Sequence, residues 1–506
     1  MTSAMLAVPS AAMADSASEA EAAKVFDTIR EEPQMLRMFL QAMPKGADLH
    51  NHLSGTPSAE DYLGWAAAEG YCADPATLGL VPAPCEGADK IGRIAAERPF
   101  LYARLIDRLS TRGWQAGVDS DEVTGHTQFF KSFDLFGMVA RDNVAPMMMV
   151  ALRTAAGDNL TYLELMHNPV VMGPYVMGAS ADPLGEADLA AWLDREIPAI
   201  APHIAAARSE LDAEEAETRT GLGCGTEGAE AACDVAIRYL GSALRALPPQ
   251  QVFRSLLFSF ALSDADPRFV GVNIVMPEDW AVAMRDYDLH MAMFRLLEER
   301  YPDVHVTMHA GELAFGLVPP AAMKDHMAKA IASGAERIGH GTGIAYEADA
   351  PATLARMASE GIAVEVNLTS NAVILGVEGD EHPIDLYRSF GVPVTLSTDD
   401  QGILRTDLTG EYERAVTEHG FDYAAMKQVS RNGLEYAFLP GTSLWRDGNV
   451  GTPIDACSAT FVSRMCKTAL ANSEKARLQL ALEQEFEEFE RSSARFAGAA
   501  YEAGSE

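Results

Sequence analysis

Asp48-Leu49-His50-Asn51-His52 closes a short apolar run that starts at Ala47 and gives way to Ser54-Gly55. Read as a β-strand, it places side chains i and i+2 on one side, so His50 and His52 point the same way. Two imidazoles so placed can hold one metal ion, and a catalytic zinc site needs three protein ligands or so around an open position. A histidine pair by itself is also a common hydrogen-bonded core feature. The reading therefore turns on whether the rest of the chain brings further ligands to the same place.

Similar short apolar runs recur along the chain at 160–166 (LTYLELM), 252–262 (VFRSLLFSFAL), 269–275 (FVGVNIV), 304–309 (VHVTMH), 337–341 (RIGHG), 363–368 (AVEVNL) and 392–399 (VPVTLSTD). Most are continuous and not alternating, the pattern of parallel strands covered on both faces. Helical patterns lie between most of them, for example at 287–300, 320–333 and 350–360. Strands alternating with helices imply βα units, and eight of them imply a (β/α)8 TIM barrel. The catalytic barrel is expected over 47–506, preceded by a helical extension at 25–46, with loop insertions near 71–92 and 205–235. A terminal helix is expected over 474–491, capped by Ser473.

The bulk properties narrow the function. The chain has 506 residues, 48% hydrophobic and 22% charged, with a formal net charge of −34. That is ample for a large core, and the acidic balance argues against binding nucleic acid through its phosphates. No apolar run reaches the roughly 18 residues of a membrane span. A small-molecule partner is expected. Residues 1–24 read as a disordered tail or the remnant of a signal peptide, since Ala12-Met13-Ala14 has the small-x-small form of a cleavage site. Six cysteines fall in three local pairs, 72/85, 224/233 and 457/466, none of them C-x-x-C. The first two pairs bracket Gly/Pro/Ala-rich loops that disulfides could staple in an oxidising compartment. The third is doubtful, because nine residues of continuous helix rise about 13 Å. A periplasmic or secreted protein is expected, with a cytoplasmic one as the alternative.

In a barrel, function sits where strands end at the carboxyl face. There the chain carries Met308-His309-Ala310-Gly311-Glu312, Gly339-His340-Gly341, Thr369-Ser370-Asn371 and Thr398-Asp399-Asp400. His50, His52, His309 and Asp399 make an N3O ligand set that suits one zinc ion per chain. A bound divalent ion lowers the pKa of water toward neutrality. Glu312, three residues after His309, can then move protons. His340 can orient the water or stabilise its charge, and Asp400 can bind substrate or a histidine outside the ligand set.

HNHLSG at 50–55, MHAGE at 308–312, RIGHG at 337–341, TSN at 369–371 and STDD at 397–400, taken in order, resemble the adenosine deaminase family of the metal-dependent hydrolases. MPKGADLHNHLSG, following a helical stretch, looks closest to the secreted growth-factor-like branch and its long bacterial relatives. The resemblance spans roughly residues 35–440. It implies zinc held by His50, His52, His309 and Asp399, protonation of purine N1 by Glu312, a water held by His340 and a contact of Asp400 with purine N7. It also implies a possible homodimer. Three positions depart from the family pattern. Ser54 stands where the family has a ribose-contacting Asp, Met276 where a Gly contacts purine N3, and Gln401 where Pro is common. The implied reaction is deamination of adenosine or 2′-deoxyadenosine. The alternatives are the same chemistry on adenine, methylthioadenosine or AMP, and a non-catalytic secreted binding or signalling protein.

Overall fold

Gly46 sits at φ 69°, where a side chain is disfavoured, and turns the chain from the N-terminal helices into the first barrel strand. In the computed structural model, which describes residues 11–85, 89–112, 124–458, 461 and 463–497, that strand is β1 (Gly46–His52). The others are β2 (Leu160–Met166), β3 (Ala236–Leu244), β4 (Phe269–Val275), β5 (His305–Ala310), β6 (Arg337–His340), β7 (Ala363–Val366) and β8 (Val394–Leu396). Each pairs in parallel with the next. The sheet closes through Asn51 and Asp399: His52 N–H donates to the Asp399 carbonyl and Asp399 N–H to the His50 carbonyl, both at 2.8 Å. The barrel seam therefore sits at the strand ends where the first and last expected ligands lie. The fold is a (β/α)8 TIM barrel.

One expected strand is a helix. Residues 252–262 lie inside the helix Pro249–Ala265, and the third strand is Ala236–Leu244, with no counterpart among the expected runs. VFRSLLFSFAL is a helix buried on nearly every side, between β3, β4 and neighbouring helices. A continuous apolar run cannot separate a buried strand from a buried helix by periodicity, and eleven residues is long for a strand. The true strand is broken up by Arg238, Gly241 and Ser242, which hid it.

The insertion expected at 205–235 is only partly one. Its first half completes the helix Leu189–Gly221, which continues through Pro198 and Pro202. Residues 222–235 form the loop bridged by Cys224–Cys233. The other insertion carries a small antiparallel sheet of Leu80–Val81, Cys72–Ala73 and Asp89–Lys90, stapled by Cys72–Cys85. Cys457 and Cys466 are also bridged, with Cα atoms 4.6 Å apart. The segment is not one helix: Ser463 caps a new one at Arg464, so the rise that forbade the bridge does not exist.

The expectation for residues 1–24 falls partly on 1–10, outside the described residues. From Ala11 the chain is helical to Ile29, so the extension starts well before residue 25. That helix packs on the terminal helix Glu474–Ser492, which Ser473 caps as expected. Phe26, Phe39, Phe489 and Phe496 form an aromatic cluster between the two ends of the chain. The Lys427 ammonium ties them again, 2.9 Å from Glu19 and 2.6 Å from Glu490.

Candidate active site

The expected site residues converge. His50 Nε2 lies 3.0 Å and His52 Nε2 3.3 Å from His309 Nε2. Asp399 Oδ1 lies 3.6 Å from His50 Nε2 and 3.3 Å from His52 Nε2. Around a tetrahedral ion with bonds of about 2.0–2.1 Å, ligand atoms are about 3.3–3.4 Å apart. These atoms span that spacing.

The partners of the far ring nitrogens decide what the near ones can do. His50 Nδ1 faces Glu365 Oε2 at 2.6 Å, and an ionised carboxylate only accepts, so Nδ1 carries the proton. His309 Nδ1 likewise donates to Asn273 Oδ1 at 3.0 Å. In the neutral rings both Nε2 lone pairs then face one another across 3.0 Å, an arrangement that calls for a cation between them. Burial works against charge on His50, but the hydrogen bonds and charges of Asp399 and Glu365 outweigh it and push it up to about 10. Burial, and then the charge on His50, pushes His309 well below the usual histidine range. Ser370 donates to Asp399 Oδ2 at 2.6 Å and leaves Oδ1 turned to the imidazoles. The donor set fits a divalent ion.

His340 is near enough to the same atoms to be mistaken for a ligand. Its hydrogen bonds argue otherwise. Ile384 N–H donates to His382 Nδ1 at 3.2 Å, so His382 carries its proton on Nε2 and gives it to Asn371 Oδ1 at 3.0 Å. That fixes the amide of Asn371, whose Nδ2 donates to His340 Nδ1 at 3.0 Å. The His340 proton is thereby placed on Nε2, 3.7 Å from Glu312 Oε1 and 3.9 Å from Asp399 Oδ2, with no hydrogen-bond partner among the described residues. Burial holds His340 at about 3, so the ring is neutral and offers one donor into the cavity.

Glu312 is held by its backbone. Glu278 accepts from Glu312 N–H at 2.8 Å and from Gly311 N–H at 3.2 Å, and is itself paired with His326. Burial, and then the charge of Asp399, pushes the Glu312 carboxyl well above the usual range. The same two causes raise Asp400, whose Oδ1 has no partner among the described residues. A Cβ at Gly55 would overlap the Asp400 carboxylate, and one at Gly339 would come within 2.7 Å of the His50 ring. Both glycines make room for site side chains. His340, Asp399 and Met276 lie at φ 64°, 60° and 83°, left-handed positions that cost a non-glycine residue about 1–2 kcal/mol each.

Over the cluster lies a cavity of about 290 Å³ whose walls include Ser54, Asp400, Met276, Phe129, Phe133 and Trp280. Eight of the nine expected site residues line this cavity, and the ninth, His50, lies behind them with its Nε2 3.0 Å from His309 Nε2. What went unseen is the support. Glu365, Asn273, Glu278 and His382 orient the site and were not singled out. Glu365 accepts from Arg337 Nε at 2.6 Å and Thr307 Oγ1 at 2.8 Å, and Arg337 reaches Glu164 at 2.6 Å, so an ionic ladder crosses the barrel core behind His50. The signal was a single Glu in AVEVNL and a single Asn in FVGVNIV: a lone polar side chain in an apolar strand needs a buried partner.

Residues 115–444 match the family model described as adenosine deaminase. An aminodeoxyfutalosine deaminase of Streptomyces coelicolor is 38% identical over 130 residues, 26% of this chain and 32% of that protein. An adenosine deaminase of Pectobacterium atrosepticum is 36% identical over 137 residues, 27% of this chain and 37% of that protein. An adenine deaminase of Sinorhizobium medicae is 32% identical over 224 residues, 43% of this chain and 62% of that protein. The chain spans from 32% to 62% of the length of these relatives. The crystal structure of an amidohydrolase from Burkhoderia ambifaria with bound Zn superposes with a TM-score of 0.54 at 19% identity, covering 91% of this chain and 94% of the other. At that identity the likeness shows the fold.

Proposed function

The chain belongs to the adenosine deaminase family, and from that premise we propose that it removes the 6-amino group of adenosine or 2′-deoxyadenosine as ammonia, leaving inosine or 2′-deoxyinosine. The observation that carries the reading is the convergence of four ligand atoms with a buried Glu312 and the unpartnered Nε2 of His340 at one cavity.

His50, His52, His309 and Asp399 would hold one divalent ion, zinc by the preference of an N3O set, and the ion when bound polarises the attacking water. The chain's own groups do the rest. Glu312 gives its proton to purine N1, which makes C6 electrophilic. His340 Nε2–H holds the water oxygen toward C6. The Glu312 carboxylate takes the proton released as that oxygen adds and passes it to the amino group as it departs, and the proton left on the new C6 oxygen then returns to Glu312, which restores the acid and leaves the carbonyl. Asp400 faces N7, an acceptor, and serves in its protonated form, which burial beside Asp399 favours. Ser54 and Met276 border the space for the sugar and purine N3.

Purified, metal-loaded protein is expected to release ammonia from adenosine or 2′-deoxyadenosine with loss of the adenine absorbance. Intact nucleosides alongside hydrolysis of another amidine would overturn the substrate. The second reading is another 6-aminopurine, such as adenine, methylthioadenosine or AMP. The replacement of two substrate-holding positions by Ser54 and Met276, and the mixed substrates named for the relatives, favour keeping it. Three disulfides support an exported location.

A further inference from the structure

A second cavity of about 510 Å³ opens beside the catalytic one, and His52, Ser54, Phe133, Leu244 and Val275 belong to the walls of both. Beyond that shared rim the second chamber is lined largely by apolar side chains, among them Phe136, Val144, Met147, Met166 and Val176. Its charge is sparse. Among the described lining residues the one Arg or Lys is Arg141, whose side chain is 55% exposed and already beside Asp142. Three buried polar side chains of the wall carry an atom without a hydrogen-bond partner among the described residues, and one of them, His167, faces Glu214 at 3.3 Å. The other two are Ser242 and Ser255, each through its Oγ.

The chamber lies where the group on purine N9 must go. With N1 at Glu312 and N7 at Asp400, the rest of the nucleoside points to Ser54, and Ser54 is on the rim. A ribose is far smaller than the chamber of about 510 Å³. A phosphate would enter a largely apolar space with no buried Lys or Arg among the described lining residues, where the imidazole of His167 already faces Glu214 at 3.3 Å, so its desolvation cost is high. Resting on the deamination proposed above, we infer that this site takes 6-aminopurine nucleosides extended at the 5′ position by an uncharged, largely apolar arm. The arm fills the chamber, and a polar atom on it meets Ser242 or Ser255. Apolar surface leaving water supplies the affinity, and the two hydroxyls set the arm's orientation.

Zinc-loaded protein is assayed with adenosine, AMP and 5′-deoxy-5′-(phenylthio)adenosine, and binding of inosine and 5′-deoxy-5′-(phenylthio)inosine is measured by calorimetry. The arylthio nucleoside is expected to exceed adenosine in kcat/KM by about tenfold or more, as an apolar group in a fitting pocket does, and its product to bind more tightly than inosine. AMP is expected to be no better than adenosine. Gly137 borders the chamber, and a Cβ there meets nothing within 4 Å. Gly137→Phe should reduce the preference for the arm toward unity, with thermal stability and metal content reporting that the fold is kept. Turnover of adenosine without gain from the arm overturns the chamber assignment and leaves the deamination standing. A preference for AMP overturns the uncharged arm. Failure to deaminate any of the three overturns both.

Discussion

The donor cluster and the chamber share a wall and follow opposite rules. In the cluster nearly every polar atom has an assigned partner, and those partners have partners in turn: His50 on Glu365, Glu365 on Arg337, Arg337 on Glu164. In the chamber two buried hydroxyls have none among the described residues, and shape dominates. Orienting a reacting group to a fraction of an ångström requires such redundancy. Holding an apolar arm does not, because burial has no preferred direction. On the proposed function, the chemistry is therefore built into the barrel, while the choice of substrate would rest on a few exchangeable wall residues.

The largest effect should come from the cluster's one mobile proton. Glu312→Gln keeps size and backbone bonds but cannot shuttle a proton. kcat should fall about 10²–10⁴-fold, the contribution of a general acid–base group, with metal content unchanged by mass spectrometry. Near-full turnover would remove Glu312 from its role and weaken the contrast with the chamber.

Next is the ladder behind His50. Glu365 is fully buried. Burial opposes its ionisation, yet Arg337 and the bonds from His50 and Thr307 hold it at about 2. Glu365→Gln leaves Arg337 buried with half its counter-charge. A loss of about 3–5 kcal/mol is expected in urea unfolding, as for other broken buried pairs. Metal affinity should drop about 10–100-fold. Chamber substitutions such as Gly137→Phe should move neither.

A smaller effect probes redundancy at its outer edge. His382 touches neither substrate space nor metal ligand, but its Nε2–H fixes the Asn371 amide. In His382→Phe the amide can turn its oxygen to His340 Nδ1, which shifts the His340 proton off Nε2. kcat should fall about tenfold with KM and metal content held, and His382→Gln, which keeps an N–H donor, should recover most of it. If KM moves in place of kcat, the chain of bonds acts on packing and not on His340.

The same contrast explains what could be read from the chain. The candidate ligands were legible because metal chemistry demands particular residue types at strand ends, so His50, His52, His309, Glu312 and Asp399 announce their proposed roles in their identity. The barrel was legible as eight βα units, although one strand was placed on the helix Pro249–Ala265, because uniform burial erases the period that separates the two. The supporting residues were hidden for a different reason: Glu365 and Asn273 matter only through contacts with strands far along the chain. The chamber was invisible. Its walls come from helices and strand ends hundreds of residues apart, and Phe, Val and Met there look like any core.

The smallest effect should fall at the seam between the two regions. Met276 lies at φ 83°, on the cavity wall at the end of β4, with its side chain against the cluster of Met166, Leu240, Val275 and Phe438. Met276→Gly relieves a backbone conformation worth about 1–2 kcal/mol. It also frees the unfolded chain, by about 0.4–1 kcal/mol, and gives up side-chain packing. These terms nearly cancel, so a net change within about 1 kcal/mol is expected in thermal unfolding. The catalytic groups do not move, and kcat should hold while the KM for adenosine changes, because the purine then meets backbone where it met a thioether. A change in kcat equal to that in KM would place Met276 with the cluster and not with the chamber, and would move the boundary between chemistry and selection inward to β4.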